Sequence, residues 1–173
     1  YVEELKTGLI RALTTDGSET IINGTFDWVH EEEFFLRDGF RWSPDSKKIA
    51  YWQLDADGVG EFLMINNTDS LYSFTIPLQY PKAGTTNSSS RIGVVAVDGD
   101  RASRETTWIK DNDDPRNHYL ARMNWANDSN ELIIQHLNRL QNTNNVWLAD
   151  VITGDVRVVM TDRDDAWLDV VDD

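Results

Sequence analysis

Three consecutive carboxylates, Glu31, Glu32 and Glu33, follow Asp27-Trp28-Val29-His30 and run directly into Phe34 and Phe35. Adjacent like charges repel, so a packed protein keeps them together only in solvent or around a cation. On a strand, Glu32 and Glu33 would point to opposite faces. On a helical turn they would sit roughly 100° apart and could converge on one positive group. The segment is therefore either a hydrated acidic turn or a seat for a cation such as an amine. Asp27 stands where it can cap a short turn beginning at Trp28, because its carboxylate can accept from free backbone N–H groups. Trp28, Val29, Phe34 and Phe35 can bury the other faces, and a partly buried carboxylate must be paired. The residues alone leave both readings open.

A second constellation is Tyr80-Pro81-Lys82-Ala83-Gly84 with Asn87, in which Pro and Gly bracket one lysine. It reads as an ordered loop after a strand. His30, His118 and His136 lie far apart and lack ligand spacing, so structural or surface roles are expected of each. Asp111-Asn112-Asp113-Asp114 and Asp162-Arg163-Asp164-Asp165 are rich in carboxylates but follow no EF-hand pattern, and solvated loops are expected there. No Gly-x-Ser-x-Gly elbow occurs, so these residues hold no recognisable serine-hydrolase centre. No catalytic residue, metal ligand or cofactor is assigned.

The chain has 173 residues, with 30 acidic against 16 basic and a net charge of −14. That balance argues against nucleic acid, which needs a basic footprint, and fits cationic ligands or a solvated surface. Seven Trp and six Phe can supply a sizeable core. There is no cysteine, hence no disulfide or thiolate site. No stretch approaches the ~18 apolar residues of a membrane-spanning helix. The opening Tyr1-Val2-Glu3-Glu4, without Met, reads as part of something longer.

The elements that must position these residues are short strands. Ile49–Trp52, Leu63–Ile65, Tyr72–Ile76, Ile92–Val97, Leu132–His136, Val146–Asp150 and Val156–Met160 are β-rich, with turn signals at Asp16-Gly17, Asp57-Gly58, Asp98-Gly99 and Thr153-Gly154-Asp155. Without intervening amphipathic helices this is an all-β pattern. Phe40-Arg41-Trp42-Ser43-Pro44-Asp45-Ser46 is echoed by Met123-Asn124-Trp125-Ala126-Asn127-Asp128-Ser129, each followed by an apolar strand. Such a repeat belongs to β-propeller blades. The expectation is a partial propeller: about two blades of antiparallel strands plus flanking strands, with a short helical turn carrying the glutamates. Residues 1–24 would end a preceding blade, 25–110 form a blade with an inserted elaboration, and 111–173 form the next and start the following one. Open strand edges and apolar faces of so partial a propeller predict self-association into a homo-oligomer.

Asp27-Trp28-Val29-His30-Glu31-Glu32-Glu33-Phe34 resembles the Asp-Trp-Val-Tyr-Glu-Glu-Glu segment of the dipeptidyl peptidase IV family. Further similarities follow in order: Trp42-Ser43-Pro44-Asp45, Ile49-Ala50-Tyr51, Tyr80–Gly84 with Asn87, His118-Tyr119-Leu120-Ala121-Arg122 before Trp125, Leu137–Asn142, and Ala166-Trp167-Leu168-Asp169. Together they cover nearly the whole chain.

The resemblance implies an N-terminal propeller segment of a serine exopeptidase that removes dipeptides, with Pro or Ala preferred as the second residue. It implies a Ser/Asp/His triad in a C-terminal α/β-hydrolase domain of the same parent chain, and a periplasmic, secreted or membrane-anchored location. By the motif match, Glu32 and Glu33 would bind the free N-terminal ammonium of peptide substrates. Glu31 would support them by orienting the turn or pairing with Arg37 or Arg41. Two departures stand out: His30 replaces the usual Tyr, and Ser88 follows Asn87 where Pro is common. The family's upstream propeller arginine falls outside these residues. Two other functions compete. One is a non-catalytic propeller that binds peptides or a protein. The other is glycoside hydrolysis, which adjacent glutamates fit poorly because its carboxyl groups stand about 5–9.5 Å apart.

Overall fold

β-branched and aromatic runs separated by Gly and Asp turns pair into antiparallel ladders in the computed structural model, which describes residues 1–99 and 105–170. A small hairpin comes first, β1 (Val2–Glu4) with β2 (Leu9–Arg11). Then come β3 (Ile21–Asn23), a five-residue helix α1 (Trp28–Glu32), β4 (Phe40–Trp42) and β5 (Lys48–Asp55). The hairpin β6 (Glu61–Asn66) and β7 (Phe74–Gln79) is followed by β8 (Ser89–Ala96) and β9 (Thr107–Trp108). The last four, β10 (His118–Ala126), β11 (Glu131–Asn138), β12 (Thr143–Asp150) and β13 (Val156–Arg163), form one meander in sequence order. The chain is thus all-β in antiparallel sheets.

The other large sheet is centred on β5, which pairs with β8 along its whole length; β9 adds to β8. The opposite side of β5 is shared. β3 pairs with Gln53–Asp55 and β4 with Ile49–Tyr51, so the two short strands lie end to end along one edge. Between them the chain leaves the sheet at Gly24 and returns at Gly39, carrying α1. This interrupted edge is what presents the glutamates.

β5 is buried on both faces, which fits its apolar run Ile49–Trp52 and Leu54, interrupted by the buried Gln53. Ala50, Trp52 and Leu54 enter the main core, while Ile49 and Tyr51 enter a smaller cluster with Val95 and Val97. The main core joins both large sheets, since Leu120, Met123, Leu132, Ile134, Leu137 and Trp147 also belong to it. Phe26, Val29, Phe34 and Leu36 of the excursion fill the same core, so the glutamate segment is anchored by its apolar neighbours. Two indoles bridge the sheets, Trp52 Nε1 donating to the Leu120 carbonyl at 2.8 Å and Trp125 Nε1 to that of Arg41 at 3.1 Å. The first of these is fully buried, where a lost partner is expensive.

The two repeat turns meet in space. The Asp45 amide donates to Ser129 Oγ at 3.0 Å, and Lys48 Nζ donates to the Ser129 carbonyl at 2.9 Å. Their backbones differ, however: the left-handed residue is Ser46 in the first turn and Asn127 in the second. The run Tyr72–Ile76 is displaced from expectation, because β7 begins at Phe74 and continues through Pro77 to Gln79. A two-stranded hairpin leaves one edge open, and a proline without N–H is tolerated there. That hairpin keeps Phe62, Leu63, Ile65 and Phe74 exposed.

Candidate functional site

The helix carrying the glutamates starts at Asp27, the position its sequence predicts for a cap. Asp27 Oδ1 accepts from the His30 amide at 3.1 Å and from His30 Nδ1 at 2.7 Å. His30 is buried between Phe26, Phe34 and Tyr119, with ring centroids 5.8, 5.8 and 6.2 Å away. It is therefore a structural histidine that ties the cap to the core. Burial pushes the Asp27 carboxyl up. The hydrogen bond and positive charge of His30, the Ser88 hydroxyl and the His30 amide together outweigh that and hold it below the usual aspartate range.

The far end is fixed as firmly. The Glu33 amide donates to the Val29 carbonyl at 2.9 Å and the Leu36 amide to that of His30 at 3.0 Å. The chain reverses through Phe35, whose φ of 57° lies in the left-handed region and whose side chain is exposed. Arg122 Nη1 donates to the Phe34 carbonyl at 3.0 Å. At the neck, the Gly24 amide donates to the Trp52 carbonyl at 2.9 Å, and the Trp52 amide donates to the Gly39 carbonyl at 3.0 Å. A Cβ at Gly39 would lie 2.5 Å from the Gly24 carbonyl carbon, so only glycine lets the two ends pass.

The three glutamates face different surroundings. Glu33 is exposed and lines a cleft of about 970 Å³. Glu32 is exposed next to it in sequence, outside the lining of that cleft. Glu31 is half-buried, with Oε2 3.7 Å from Arg37 Nη1, while its carbonyl accepts from the same nitrogen at 3.4 Å. Arg41, the other expected partner, donates instead to the carbonyls of Asp38 and Phe40 at 2.8 and 2.7 Å.

The cleft gathers segments that are remote in sequence. Trp28 and Val29 lie on one side, and the loop Tyr80–Gly84 with Asn87 on another. Asn117, Tyr119 and Asn138–Gln141 close it. Trp28 meets Tyr80 edge-on at 4.3 Å, which seats α1 against the loop. Two arginines brace the loop through its carbonyls. Arg116 Nη1 donates to the Asn87 carbonyl at 2.7 Å, and Arg139 Nη2 donates to the Thr85 carbonyl. A carboxylate on a wall lined by Trp28, Tyr80 and Tyr119 can take a cation whose other side is apolar.

One group escaped the sequence reading. Among the three histidines, His118 and His136 come together, with ring centroids 4.4 Å apart, and Asp111 Oδ2 lies 3.2 Å from His118 Nε2. Burial and the neighbouring His118 charge push the His136 imidazole down, against the opposing pull of Asp111 and Asp113. The signal available in the sequence was the strand phase: His118 and His136 sit near facing ends of β10 and β11.

The antiparallel sheets, the interrupted edge and the cleft define an all-β module built to present loop side chains. All of residues 1–173 match the family model described as the dipeptidyl peptidase IV N-terminal region. The chain belongs to the dipeptidyl peptidase IV family, as part of that N-terminal region. It is 30% identical over 170 residues to inactive dipeptidyl peptidase 10 of Mus musculus, covering 97% of this chain and 21% of that protein. It is 29% identical to dipeptidyl aminopeptidase B of Saccharomyces cerevisiae, covering 87% of this chain and 18% of that one. The crystal structure of Porphyromonas gingivalis dipeptidyl peptidase 4 superposes with a TM-score of 0.85 at 28% identity, covering 95% of this chain and 23% of that one. The chain thus spans about a fifth of the length of the curated relatives it matches.

Proposed function

We propose that this chain is a non-catalytic part of the β-propeller of a dipeptidyl peptidase IV-type serine exopeptidase, and that Glu32 and Glu33 bind the free N-terminal ammonium of its peptide substrates. In this reading residues 1–24 end one blade, 25–110 form a blade with an inserted elaboration, and 111–173 form the next and begin another; residues 100–104 and 171–173 lie outside the described residues. The observation that carries the proposal is the position of Glu33 on the wall of a cleft where α1, the 80–87 loop and the end of β11 converge.

The chemistry follows from charge and position. An α-amino group with a pKa of about 7.7–8.0 is mostly protonated at neutral pH. Carboxylates accept from it at charge-assisted strength, and a wall of aromatic side chains strengthens that attraction by excluding water. Holding the ammonium at a set distance from a nucleophile leaves room for two residues, so position becomes specificity for dipeptide release. The nucleophile, in a Ser/Asp/His triad, belongs to a C-terminal α/β-hydrolase domain of the same parent chain. This segment alone is expected to be inactive. Glu31, paired with Arg37, supports the turn.

In the full-length protein, Glu32→Gln and Glu33→Gln should each lower kcat/KM on free-amine dipeptidyl substrates. The loss expected from breaking a buried charge pair on binding is about 2–5 kcal/mol, or roughly 30- to several-thousand-fold. Near-normal activity in both variants would sink the assignment. A second reading, a propeller that binds peptide or protein without catalysis, is favoured by the 30% identity to a relative named as inactive. Labelling of the full-length protein by a serine-directed fluorophosphonate separates the two, since a binding module takes up no label.

A further inference from the structure

His118 and His136 come from neighbouring strands and share one face of the sheet. His118 stands opposite Asn138 and Leu120 opposite His136, so the two imidazoles are diagonal neighbours. Both are buried, at 1% and 3% exposure. Trp147 of β12 stacks on the His136 ring at 4.1 Å and 18°, fixing its plane. Asp111 arrives from the segment between β9 and β10.

Its Oδ2 lies 3.2 Å from His118 Nε2 and 3.6 Å from His136 Nε2. Proximity alone would suggest an ion pair. Yet His118 Nε2, His136 Nε2 and Asp111 Oδ2 are each buried without an aligned hydrogen bond among the described residues. Three buried polar atoms that converge without bonding one another are costly unless a single further group satisfies them together. One ligand atom from each residue lies within 4.8 Å of the other two. A tetrahedral ion with ligand bonds of about 2.0–2.1 Å sets its ligands about 3.3 Å apart, and the two observed separations bracket that value.

We infer that Asp111, His118 and His136 form a binding site for one first-row divalent transition-metal ion of the zinc type. Asp113, with Oδ2 3.7 Å from His136 Nε2, is the available fourth donor. Two imidazole nitrogens select zinc, cobalt, nickel or copper over calcium and magnesium, which prefer all-oxygen shells. Two neutral imidazoles and two carboxylates make a neutral complex with a divalent ion, which removes the charge penalty of burying it. The ion would clip the segment after β9 to the β10–β11 hairpin. Tyr119, next to His118, faces the glutamate cleft instead, so the two sites share a strand without sharing a ligand.

The test uses the full-length protein, stripped with chelator and desalted, then titrated with Co2+ alone and read by its visible ligand-field bands, with Zn2+ as competitor. One equivalent displaced by Zn2+ is expected. His118→Gln, His136→Gln and Asp111→Asn should each weaken that binding at least ~100-fold, while Glu33→Gln leaves it unchanged. Absence of stoichiometric Co2+ binding by the folded wild type would overturn the inference, as would undiminished affinity in the histidine variants. Should those variants fail to fold, X-ray absorption of the zinc-loaded wild type decides: two imidazole ligands support the site, and fewer overturn it.

Discussion

The carboxylates between β3 and β4 and the imidazoles between β10 and β11 are held in opposite ways. Glu32 and Glu33 are exposed on a short excursion whose apolar residues are sunk in the core and whose ends are pinned to Trp52. Its backbone is held by the Asp27 cap, by Arg122 at Phe34 and by Trp52 at the neck, while the two charged side chains stay exposed. His118 and His136 are buried in a regular ladder, and their Nε2 atoms make no aligned hydrogen bond among the described residues. The first site is loop chemistry positioned by a rigid frame. The second lies within the frame itself, so its polar atoms depend on whatever they coordinate.

Glu33→Gln should have the largest effect: a fall of roughly 30- to several-thousand-fold in kcat/KM with cobalt binding intact. His136→Gln should reverse that pattern, and a variant that damaged both readouts equally would break the distinction. Gly39→Ala comes next. Its methyl group would meet the Gly24 backbone, which cannot swing aside, so about 1–3 kcal/mol of stability should be lost in denaturant unfolding. The excursion should suffer first, as faster hydrogen exchange at Trp52.

Asp27→Ala is smaller, about 0.5–2 kcal/mol for a lost cap, and it carries a pH signature. The folded Asp27 carboxyl lies below its unfolded value, so the native state gives up this proton more readily. Its contribution is fully present above the ordinary aspartate pKa near 3.9, and is lost as pH falls through the lower folded value. Acid unfolding of Asp27→Ala should therefore show a shallower slope in that range than the wild type. Arg37→Ala should be the mildest, within ~1 kcal/mol, because its pair with Glu31 is exposed. Sedimentation of the isolated chain checks the expected self-association, and a strictly monomeric profile at high concentration would contradict it.

The contrast also governs what could be read from the residues alone. The glutamate segment is contiguous: Asp27, Trp28 and the triplet fall within seven residues, and the Asp27 cap was legible from spacing. The strands with strong β-branched character were legible too, including the buried runs of β5 and β8. The three-residue strand β3 was not, because it is too short to show a period and exists only as a partner of β5, whereas β4 was legible as the aromatic strand end of the first repeat turn. The meeting of His118 and His136 was not legible, because spacing along a chain does not report proximity across two strands. Their meeting depends on the register of β10 and β11, including the irregularity between Leu120 and Arg122. The repeat turns were recognised by their Trp and Asp-Ser content, and their different left-handed residues have a local cause: Pro44, whose ring holds φ at about −65°, stands where the second turn has Asn127.

The pinched neck at Gly24 and Gly39 has a meaning for inheritance as well as for folding. Both ends of the excursion address the same residue, Trp52, and β3 and β4 pair with β5 on either side of it. The stretch from Thr25 to Asp38 is therefore a cassette. Its exposed positions, Glu32, Glu33 and Phe35, can be exchanged without touching the core, whereas Phe26, Val29, Phe34 and Leu36 are committed to the sheets beneath.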